Sequence, residues 1–436
     1  MKILLLLSRL PYPLEKGDKL RAYQMLVELA KFHKIYLFCA NTESITPDFL
    51  QALEPYCQKI CVAPLSILGR VKSFIKAIFR GTPLQCAYFY TNRSKNRFRI
   101  FYKEVEPDVV YCHLMRMVPY MEEIVTNSFA DEKSKKDICK ILDYQDALSY
   151  GIYRRGKVLP WYSKFIWDRE FRSMLNAEKK AFYEFDLKTI ISEQDRELLP
   201  LSIIERAQVK ISRNGVDTEY FIPNPSVVKD FSCPIYDIVF TGNMGYPPNE
   251  DAAVFLVKKI LPLVRQAGFP TVKVLIAGTS PTLSVKSLAS PEVLVTGWLE
   301  DMRWAYWHAK VFVAPMRIGT GMQNKLLEAM ACALPCVSSK LSADGLGQWP
   351  GEKGVLPLRV VEVEAAQEAE AMAKEICILL RREELRKELG DAGRAFVKQH
   401  YTWSAQMESL KTYLDSFDIS CSDSLNRSDN SDKLRK

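Results

Sequence analysis

Short apolar runs alternate with longer amphipathic stretches along most of the chain. The apolar runs, rich in aliphatic and β-branched residues, predict buried strands, and the stretches between them carry apolar residues at helical spacing. The predicted strands are 2–7, 34–40, 59–63, 108–112, 139–143, 187–191, 209–212, 236–241, 272–278, 292–297 and 311–314. Strands that alternate with helices are typical of doubly wound parallel sheets.

The length and composition predict two domains. A globular chain of 436 residues with 48% hydrophobic content can form two domains of roughly 200 residues each. A turn at Asn214-Gly215 and a Pro-bearing stretch then mark the division. We expect a first domain at 1–222, a linker at 223–235, a second domain at 236–400, a last helix within 401–419 and a disordered tail at 420–436.

One strand, loop and helix between 310 and 339 suggest a binding site. A strand (311–314) precedes a glycine-bearing loop (317–321) and a helix (322–333), whose Lys325 and Glu328 border the packed face. Glycines expose backbone N–H groups at a helix start, where a diphosphate would bind, and a carboxylate further along could accept hydrogen bonds from a ribose. An ordinary α/β unit with a surface Glu and Lys is the alternative.

Positive charge is concentrated in the first half of the chain. Residues 1–218 hold 35 basic and 26 acidic residues, against 25 and 26 in the remainder, and 51–100 hold nine basic residues and one acid. The stretch 66–80 predicts a basic amphipathic helix, which either packs on its own domain or contacts an anionic membrane surface. The basic run 93–99 favours the membrane contact. No nucleic-acid-binding module accompanies this charge, so we expect no nucleic-acid partner.

Cysteine and histidine usage excludes the common zinc motifs. Eleven cysteines occur without Cys-x-x-Cys pairs, and there are only four histidines, so reduced thiols and no metal site are expected. The apolar start is too short for a signal peptide, and no run approaches the roughly 18 apolar residues that span a bilayer. We expect a cytoplasmic protein that either remains free or binds the inner face of the plasma membrane peripherally.

The residues from Gly319 to Val337 resemble the donor-site signature of the family 4 retaining glycosyltransferases. The segment GMQNKLLEAMA resembles the corresponding segment of a bacterial branch of sugar transferases associated with exopolysaccharide export. The resemblance implies an α/β GT-B fold: two Rossmann-like doubly wound parallel-sheet domains facing a cleft, with the C-terminal helix crossing back to the N-terminal domain. The N-terminal domain would face acceptor and membrane, and the C-terminal domain would bind the donor.

The resemblance also assigns roles to residues. His113, which ends the segment DVVYCH, would orient the donor sugar, Lys325 would bind phosphate and Glu328 would bind ribose. The other expected donor contacts are Gly17, Gly242, Asn243, Leu299, Asp301, Arg317, Gly319, Thr320, Gly321, Met322 and Gln323. No cofactor and no metal are implied, because backbone amides at 319–323, with Lys325 or Arg317, would carry the phosphate charge.

Several polar residues of the first half have two interpretations. Asp143 and Asp146 follow a predicted strand, where α/β folds place ligands, so they either bind acceptor hydroxyls or cap the next helix. Arg9, Lys19 and Arg21 either serve an anionic acceptor or are solvated, and we favour solvation.

The signature departs from the family at three positions. Many relatives have an Arg directly after the glycine that corresponds to Gly242 and a Lys a few residues later, where this chain has Asn243 and the run 247–249 of Pro-Pro-Asn. The first of the family's two glutamates is replaced by Thr320. The exopolysaccharide branch shares such substitutions, so we interpret them as a subfamily variant.

These features predict transfer of a sugar from a UDP- or GDP-sugar to a lipid-linked or growing glycan acceptor, with retained configuration, in surface or exopolysaccharide biosynthesis. One alternative is a GT-B nucleotide-sugar epimerase, for which His113 with Asp143 or Asp146 would be recruited. Another is a catalytically silent homologue that binds a partner transferase or a glycan. The sequence specifies neither the base, the sugar nor the acceptor.

Overall fold

The computed structural model describes residues 1–14, 17–41, 45–125, 138–158, 161–224, 235–318, 322–346, 357–364 and 366–417. The chain forms two compact units, of which the first comprises residues 1–212 with those from 407 onward, and the second residues 213–406. The sequence placed these divisions at 222 and 401. The tail at 420–436 and most of the expected linker lie outside the described residues.

The first unit is built on a parallel sheet of seven strands, in the order β3-β2-β1-β4-β5-β6-β7. Its strands are β1 (Lys2–Leu7), β2 (Lys34–Asn41), β3 (Lys59–Pro64), β4 (Val109–His113), β5 (Cys139–Asp143), β6 (Leu187–Ile190) and β7 (Lys210–Ile211). All seven agree with the predicted strands to within two residues, because each is a short apolar run bounded by polar or turn residues.

Helices connect the strands of the first unit. They are α1 (Gly17–Ala30), α2 (Pro47–Gln51), α3 (Ile67–Arg80), α4 (Leu84–Phe89), α5 (Asn92–Val105), α6 (Val118–Val125), α7 (Leu148–Val158), α8 (Lys164–Glu184), α9 (Glu193–Leu198) and α10 (Ile203–Gln208). Short 3₁₀ turns lie at Glu54–Tyr56, Met115–Met117 and Trp161–Ser163.

The second unit repeats the design with six parallel strands, in the order β10-β9-β8-β11-β12-β13. They are β8 (Tyr236–Thr241), β9 (Val274–Ala277), β10 (Val293–Val295), β11 (Ala309–Ala314), β12 (Cys336–Ser339) and β13 (Arg359–Val361). The helices are α11 (Pro247–Phe255), α12 (Leu261–Gln266), α13 (Leu283–Lys286), α14 (Arg303–Trp307), α15 (Asn324–Ala331), α16 (Lys340–Asp344), α17 (Glu368–Arg381) and α18 (Glu383–His400), with a π turn at Leu256–Ile260. The sequence analysis did not predict β12 and β13.

Both faces of each sheet are buried. Along β1, Leu4 and Leu6 belong to one apolar cluster, and Ile3 and Leu5 belong to another on the opposite face. This arrangement follows from the period of two along a strand combined with helices on both sides of a parallel sheet. It explains why the central strands read as continuous apolar runs rather than as alternating ones.

The predicted amphipathic helix is present as α3, and its ends are set by local chemistry. The Ser66 hydroxyl accepts a hydrogen bond from the Gly69 backbone N–H (3.2 Å), and Gly81 ends the helix in the left-handed conformation at φ 70°. Most of its apolar side chains are exposed, and Ala77 is its one buried residue. Packing on its own domain, the first of the two fates considered for this helix, therefore does not cover its apolar face.

A last helix at 403–417 returns the chain to the first unit. Met407, Leu410 and Leu414 are buried in the same cluster as Ile3 and Leu5 of β1. The spacing of three and four residues places them on one helix face, and this face packs on the sheet.

A close backbone contact fixes the loop that follows β8. Gly278, directly after β9, has φ 139°, and a Cβ there would lie 1.8 Å from the Gly242 carbonyl oxygen. Gly242 itself has φ 152°, and a Cβ there would lie 2.8 Å from Asn249 Nδ2. Only glycine fits at these two positions, so the loop from 242 to 249 is held tightly against the end of β9.

Candidate active site

In the second unit, polar side chains collect where β8 and β11 end. Parallel strands direct their carboxyl ends to one edge of a sheet, which is where α/β folds bind ligands. Thr241 ends β8, and α15 follows β11 after a loop. Three predicted contacts in that loop, Gly319, Thr320 and Gly321, lie outside the described residues.

Lys325, in the first turn of α15, contacts the loop that follows β8. Its Nζ donates to Asn249 Oδ1 (2.5 Å) and lies 4.7 Å from the centroid of the Phe240 ring. Asn249 Nδ2 in turn donates to the backbone carbonyl of Asn243 (2.9 Å), which fixes the orientation of the amide. Burial lowers the pKa of Lys325 to about 7, against the opposing effect of Glu328. This lysine therefore carries a desolvated charge that an incoming anion would stabilise.

Glu328 lies one turn further along α15 and is bound through one oxygen. The Tyr306 hydroxyl donates to Glu328 Oε2 (2.6 Å), and the Tyr306 and Thr241 hydroxyls are hydrogen-bonded at 3.0 Å. Burial raises the pKa of Glu328, while Tyr306 and Lys325 oppose the rise. The other oxygen, Oε1, accepts no hydrogen bond from the residues that the structure describes. It can therefore accept one from a ligand hydroxyl.

Arg317 precedes the undescribed part of the loop and already has an acidic partner. Its guanidinium binds the Asp251 carboxylate (2.5 and 3.1 Å) and lies 4.3 Å from the Phe255 ring centroid. An anion at Arg317 would have to compete with Asp251. Met322 and Gln323, the two predicted contacts before α15, are partly exposed.

Two of the expected donor contacts, Leu299 and Asp301, occupy the loop before α14. Asp301 binds the Arg303 guanidinium through Oδ1 (3.0 Å) and Oδ2 (2.6 Å), and its Oδ1 accepts from the Tyr220 hydroxyl (3.1 Å). Hydrogen bonds from Arg303 hold the pKa of Asp301 below its usual value. Leu299 packs at the edge of an apolar cluster. The carboxylate of Asp301 is thus committed to protein partners.

In the first unit, His113 ends β4 beside a buried ion pair. Arg21 Nε donates to Asp143 Oδ2 (2.7 Å), and Arg21 Nη2 lies 3.3 Å from both Asp143 Oδ1 and Ser212 Oγ. His113 Nε2 lies 4.0 Å from Asp143 Oδ2. The Thr189 hydroxyl also donates to Asp143 (3.2 Å), so protein groups occupy this carboxylate.

The favoured interpretation of Lys19 and Arg21 as solvated side chains is wrong. Their exposed fractions are 3% and 1%, because α1 turns this face toward the sheet. Asp143 supplies the counter-charge that makes the burial of Arg21 possible. Of the two candidate acceptor residues, Asp143 is therefore part of a buried network, whereas Asp146 is exposed in the loop before α7.

The imidazole of His113 is buried and neutral at pH 7. Burial, reinforced by the Arg21 charge, lowers its pKa to about 4, although Asp143 opposes the shift. Its Nε2 has no hydrogen-bond partner among the described residues. The ring borders a cavity of about 10 Å³, shared with Ser8, Arg9 and Asp18, which holds one water molecule at most. Gly17 is the first residue of α1, directly before Asp18, and it is exposed. Apart from its neighbours in the chain, no described residue has an atom within 4 Å of the point that a Cβ would occupy there.

Sequence reasoning missed the partners that hold these groups in place. Asn249 attracted notice only as a departure from the family pattern, and Tyr306 and Thr241 were not considered. The hydroxyls lie far from Glu328 in sequence, and no local pattern links them. The buried position of Arg21 had one signal, the helical spacing of Ala22, Met25 and Leu26 next to it.

The architecture and comparisons with known proteins define the class of fold. The chain has the GT-B fold, with two Rossmann-like parallel-sheet units, as the sequence predicted. Sucrose-phosphate synthase from Thermosynechococcus elongatus matches with a TM-score of 0.67 at 16% identity, over 96% of this chain and 100% of that one. Anabaena HepE in complex with UDP-glucose matches with a TM-score of 0.64 at 13% identity, over 95% and 99%.

The second unit also matches a sequence family. Residues 236–382 match the model of the family described as glycosyl transferases group 1, so this unit contains a group 1 glycosyltransferase domain. An "uncharacterized 44.6 kDa protein in cps region" of Klebsiella pneumoniae is 23% identical over 369 residues, which cover 81% of this chain and 87% of that protein.

Neither a metal cluster nor a membrane-spanning helix occurs in the described parts of the chain. Those residues contain no group of three His, Cys, Asp or Glu side chains placed to hold a metal ion. None of the described helices combines the length and apolarity needed to cross a bilayer.

Replacing His113 should reduce the loss of stability in acid. The unfolded chain protonates this residue near pH 6.5, whereas the folded chain resists protonation until about pH 4. The contribution of His113 to the free energy of unfolding is therefore fully present above pH 6.5. It is lost as the pH falls toward 4, and the loss amounts to roughly 3 kcal/mol. We expect His113→Gln to lack this part of the loss, as measured by urea unfolding between pH 7.5 and 4. His33→Gln, in the same unit, is the control, and identical pH profiles for His113→Gln and the unmodified protein would contradict the assignment.

Proposed function

We propose that the protein is a retaining glycosyltransferase of family 4, from the exopolysaccharide-associated branch. It would move a sugar from a UDP- or GDP-sugar to a lipid-linked or growing glycan acceptor. The observation that carries the proposal is Glu328, which Tyr306 holds through one oxygen while the other is available, next to Lys325 at the carboxyl edge of the sheet. A carboxylate beside a desolvated ammonium suits a ribose and its attached diphosphate.

The comparisons support the donor and the pathway. HepE binds UDP and UDP-glucose in its crystal structures, and it shares the fold over nearly the whole chain. The Klebsiella relative is described as lying in a cps region, which fits a role in polysaccharide biosynthesis. A UDP-sugar is accordingly the first donor to test.

The charge that develops on the leaving diphosphate needs stabilisation during transfer. Lys325 would supply it together with backbone N–H groups that precede α15. Because Asp251 already binds Arg317, we assign Arg317 a smaller part. The transfer would use neither a metal nor a cofactor. His113, neutral and with Nε2 available, would hydrogen-bond a sugar hydroxyl.

Nucleotide binding should depend on Glu328. We expect UDP or GDP to raise the thermal midpoint in a screen with ADP and TDP, since a ligand of the folded state stabilises it. Glu328→Gln removes a charge-assisted hydrogen bond worth about 1.5–3 kcal/mol, so binding should weaken by about 10- to 100-fold in calorimetry. Glu388→Gln, an exposed position on α18, should bind as the unmodified protein does.

Activity assays then separate the proposal from its competitors. The matching nucleotide-sugar, incubated with a lipid-linked glycan acceptor, should give a product whose anomeric configuration equals that of the donor, as judged by NMR. Epimerisation without acceptor would instead favour an isomerase. No nucleotide binding at all would favour a catalytically silent homologue.

The affinity for a nucleotide-sugar should fall as the pH rises above 7. Lys325 loses its proton near pH 7 in the free protein, and a bound diphosphate raises that pKa, so binding takes up a proton at higher pH. We expect affinity for UDP-glucose, whose diphosphate does not titrate in this range, to fall by up to about tenfold per unit between pH 7 and 9.

Lys325→Arg provides the control for this pH dependence. Arginine stays charged throughout the range, so the decline should be much smaller in this variant. Lys310→Arg changes a lysine that is paired with Asp237, and it should leave the decline intact. A flat affinity profile for the unmodified protein would contradict the assignment of Lys325.

We also propose that the protein works at the inner face of the plasma membrane, with α3 as its contact. Leu68, Ile78 and Phe79 are 77%, 55% and 86% exposed on this helix, beside the exposed Lys72 and Lys76. An apolar face flanked by lysines suits the headgroup region of an anionic bilayer. The neighbouring basic run contributes less than the sequence indicated, because Lys95 and Arg99 both pair with Glu123 (2.6 and 2.7 Å).

Reversing two charges on α3 should release the protein from membranes. Each basic residue near an anionic surface contributes about 1 kcal/mol, so Lys72→Glu with Lys76→Glu should weaken binding by at least about a hundredfold. Sedimentation with phosphatidylglycerol vesicles measures this, and Lys258→Glu with Lys259→Glu provides a charge-matched control on the second unit. Unchanged sedimentation of the α3 variant would exclude α3 as the contact.

A further inference from the structure

A second cavity of the first unit is lined by other residues than the small cavity beside His113, except that Arg9 borders both. It has a volume of about 400 Å³ and lies between α3, α4, α7 and α8. Its size is within the range of pockets that enclose small organic ligands. The lining combines aromatic and aliphatic side chains with arginines, and comprises Arg9, Phe74, Leu84, Gln85, Tyr88, Phe89, Arg116, Arg155, Ile166, Trp167 and Glu170.

The charges of this cavity do not cancel. Glu170 accepts hydrogen bonds from the backbone N–H groups of Leu84 (2.7 Å) and Gln85 (3.0 Å), so its charge is used at the start of α4. Arg9 is paired with Asp18 at 2.6 Å. The excess charge of the lining therefore resides on Arg116 and Arg155.

These two arginines form no direct ion pair with a described carboxylate. Within the described parts of the chain, neither makes a hydrogen bond or an ion pair, and the Arg116 guanidinium lies 5.8 Å from the Phe89 ring centroid. Arg116 is partly buried, and burial together with the Arg9 charge lowers its pKa, against the opposing effect of the Asp18 and Asp146 charges. A guanidinium stays protonated in proteins, so Arg116 is a partly desolvated cation that these carboxylates influence without forming an ion pair with it. Such a group favours an anionic ligand, and phosphate suits its planar array of donors.

The rest of the lining is largely apolar, and some of its residues are also exposed on the protein surface. Phe74 lines it from α3 and Ile166 from α8, where Ile166 and its neighbour Phe165 are 55% and 79% exposed. Arg169 of α8 donates to the carbonyls of Ala77 (2.7 Å) and Thr82 (3.2 Å), which ties the end of α3 to α8. Phe74 of the cavity lining therefore belongs to the same helix as the exposed apolar side chains of α3.

We propose that this cavity binds an anionic amphiphile, a phosphate or diphosphate joined to a single apolar chain. The phosphate would contact Arg116 and Arg155, and the chain would pass Ile166 and Phe74 toward the exposed face of α3. Neither a free sugar phosphate nor an uncharged lipid would contact both the two arginines and the apolar side chains of the lining. The inference rests on the proposed function, in which this ligand is the lipid carrier of the acceptor.

The test is calorimetric titration of the full-length protein with farnesyl diphosphate below its micelle concentration. We expect it to bind at least tenfold more tightly than either inorganic pyrophosphate or farnesol, because pyrophosphate can contact only the arginines and farnesol only the apolar side chains. Binding should weaken at least tenfold in Arg116→Ala and in Ile166→Ser. Arg155→Ala serves as a second charge variant, since this exposed side chain can be removed without disturbing the fold. Arg172→Ala, on the exposed face of α8, is the control and should bind normally.

Parallel titrations with UDP keep the two hypotheses separate. UDP affinity should be unchanged in the cavity variants, and farnesyl diphosphate affinity should be unchanged in Glu328→Gln. Loss of UDP binding alone would contradict the proposed function and leave the cavity assignment intact. Competition between UDP and farnesyl diphosphate, or equal binding of inorganic pyrophosphate, would overturn the cavity assignment. Equally tight binding of a short-chain phosphatidic acid would overturn the assignment to the acceptor's carrier, because the site would then be one for membrane phospholipid.

Discussion

The burial of both faces of each parallel sheet is the constraint on which the rest of the structure depends. Helices cover the two faces, and strands such as β1 are apolar along almost their whole length. Polar chemistry is then placed mainly where the strands end. His113 and Asp143 end β4 and β5 of the first unit, and Thr241 ends β8 of the second. The same packing requirement that stabilises the sheets therefore brings together residues that are far apart in sequence.

Buried charge at these edges is stabilised in two different ways. Asp143 is fully buried, but Arg21 binds it through two nitrogens, so the pair tolerates a low dielectric environment, and burial keeps the nearby imidazole neutral against the opposing effect of Asp143. In the second unit the nearest polar partner of Lys325 is the uncharged amide of Asn249, and one oxygen of Glu328 stays open. In the first arrangement, protein groups bind both oxygens of the carboxylate. The second leaves capacity for a ligand, which is why we place donor binding there.

Local sequence patterns predicted the fold more completely than they predicted the candidate site. The strands that the sequence predicted are present within two residues, because short apolar runs have few other interpretations in an α/β chain. Two strands, β12 and β13, were missed, since Cys336–Ser339 ends in polar serines and Arg359–Val361 has only three residues. The helix α15 is shorter than predicted, beginning at Asn324 rather than Met322. Apolar periodicity continues past both of its ends, and tertiary packing decides where the helix stops.

Side-chain partners were less accessible to prediction because they depend on distant contacts. Glu328 and Lys325 could be singled out from spacing and resemblance, but not the Tyr306 hydroxyl that orients the carboxylate. Arg21 was assigned to solvent because lysine and arginine are rarely buried, and Asp143 overrides that tendency from 122 positions away. The exposure of the apolar face of α3 could not be predicted either, since a periodic apolar stripe predicts a helix but does not show what covers that face.

The departures from the family signature acquire a physical meaning in this structure. In place of the arginine and the lysine of many relatives, the loop after β8 has Asn243 and Asn249, and Asn249 accepts a hydrogen bond from Lys325. Two permanent positive charges are thereby exchanged for one lysine whose charge is costly until an anion arrives. In the donor site that we propose, a bound phosphate would stabilise the charge of Lys325, whose pKa burial lowers in the free protein. The tight glycine contact between residues 242 and 278 is what keeps Asn249 in reach of that lysine, so the loop geometry and the electrostatics form a single arrangement.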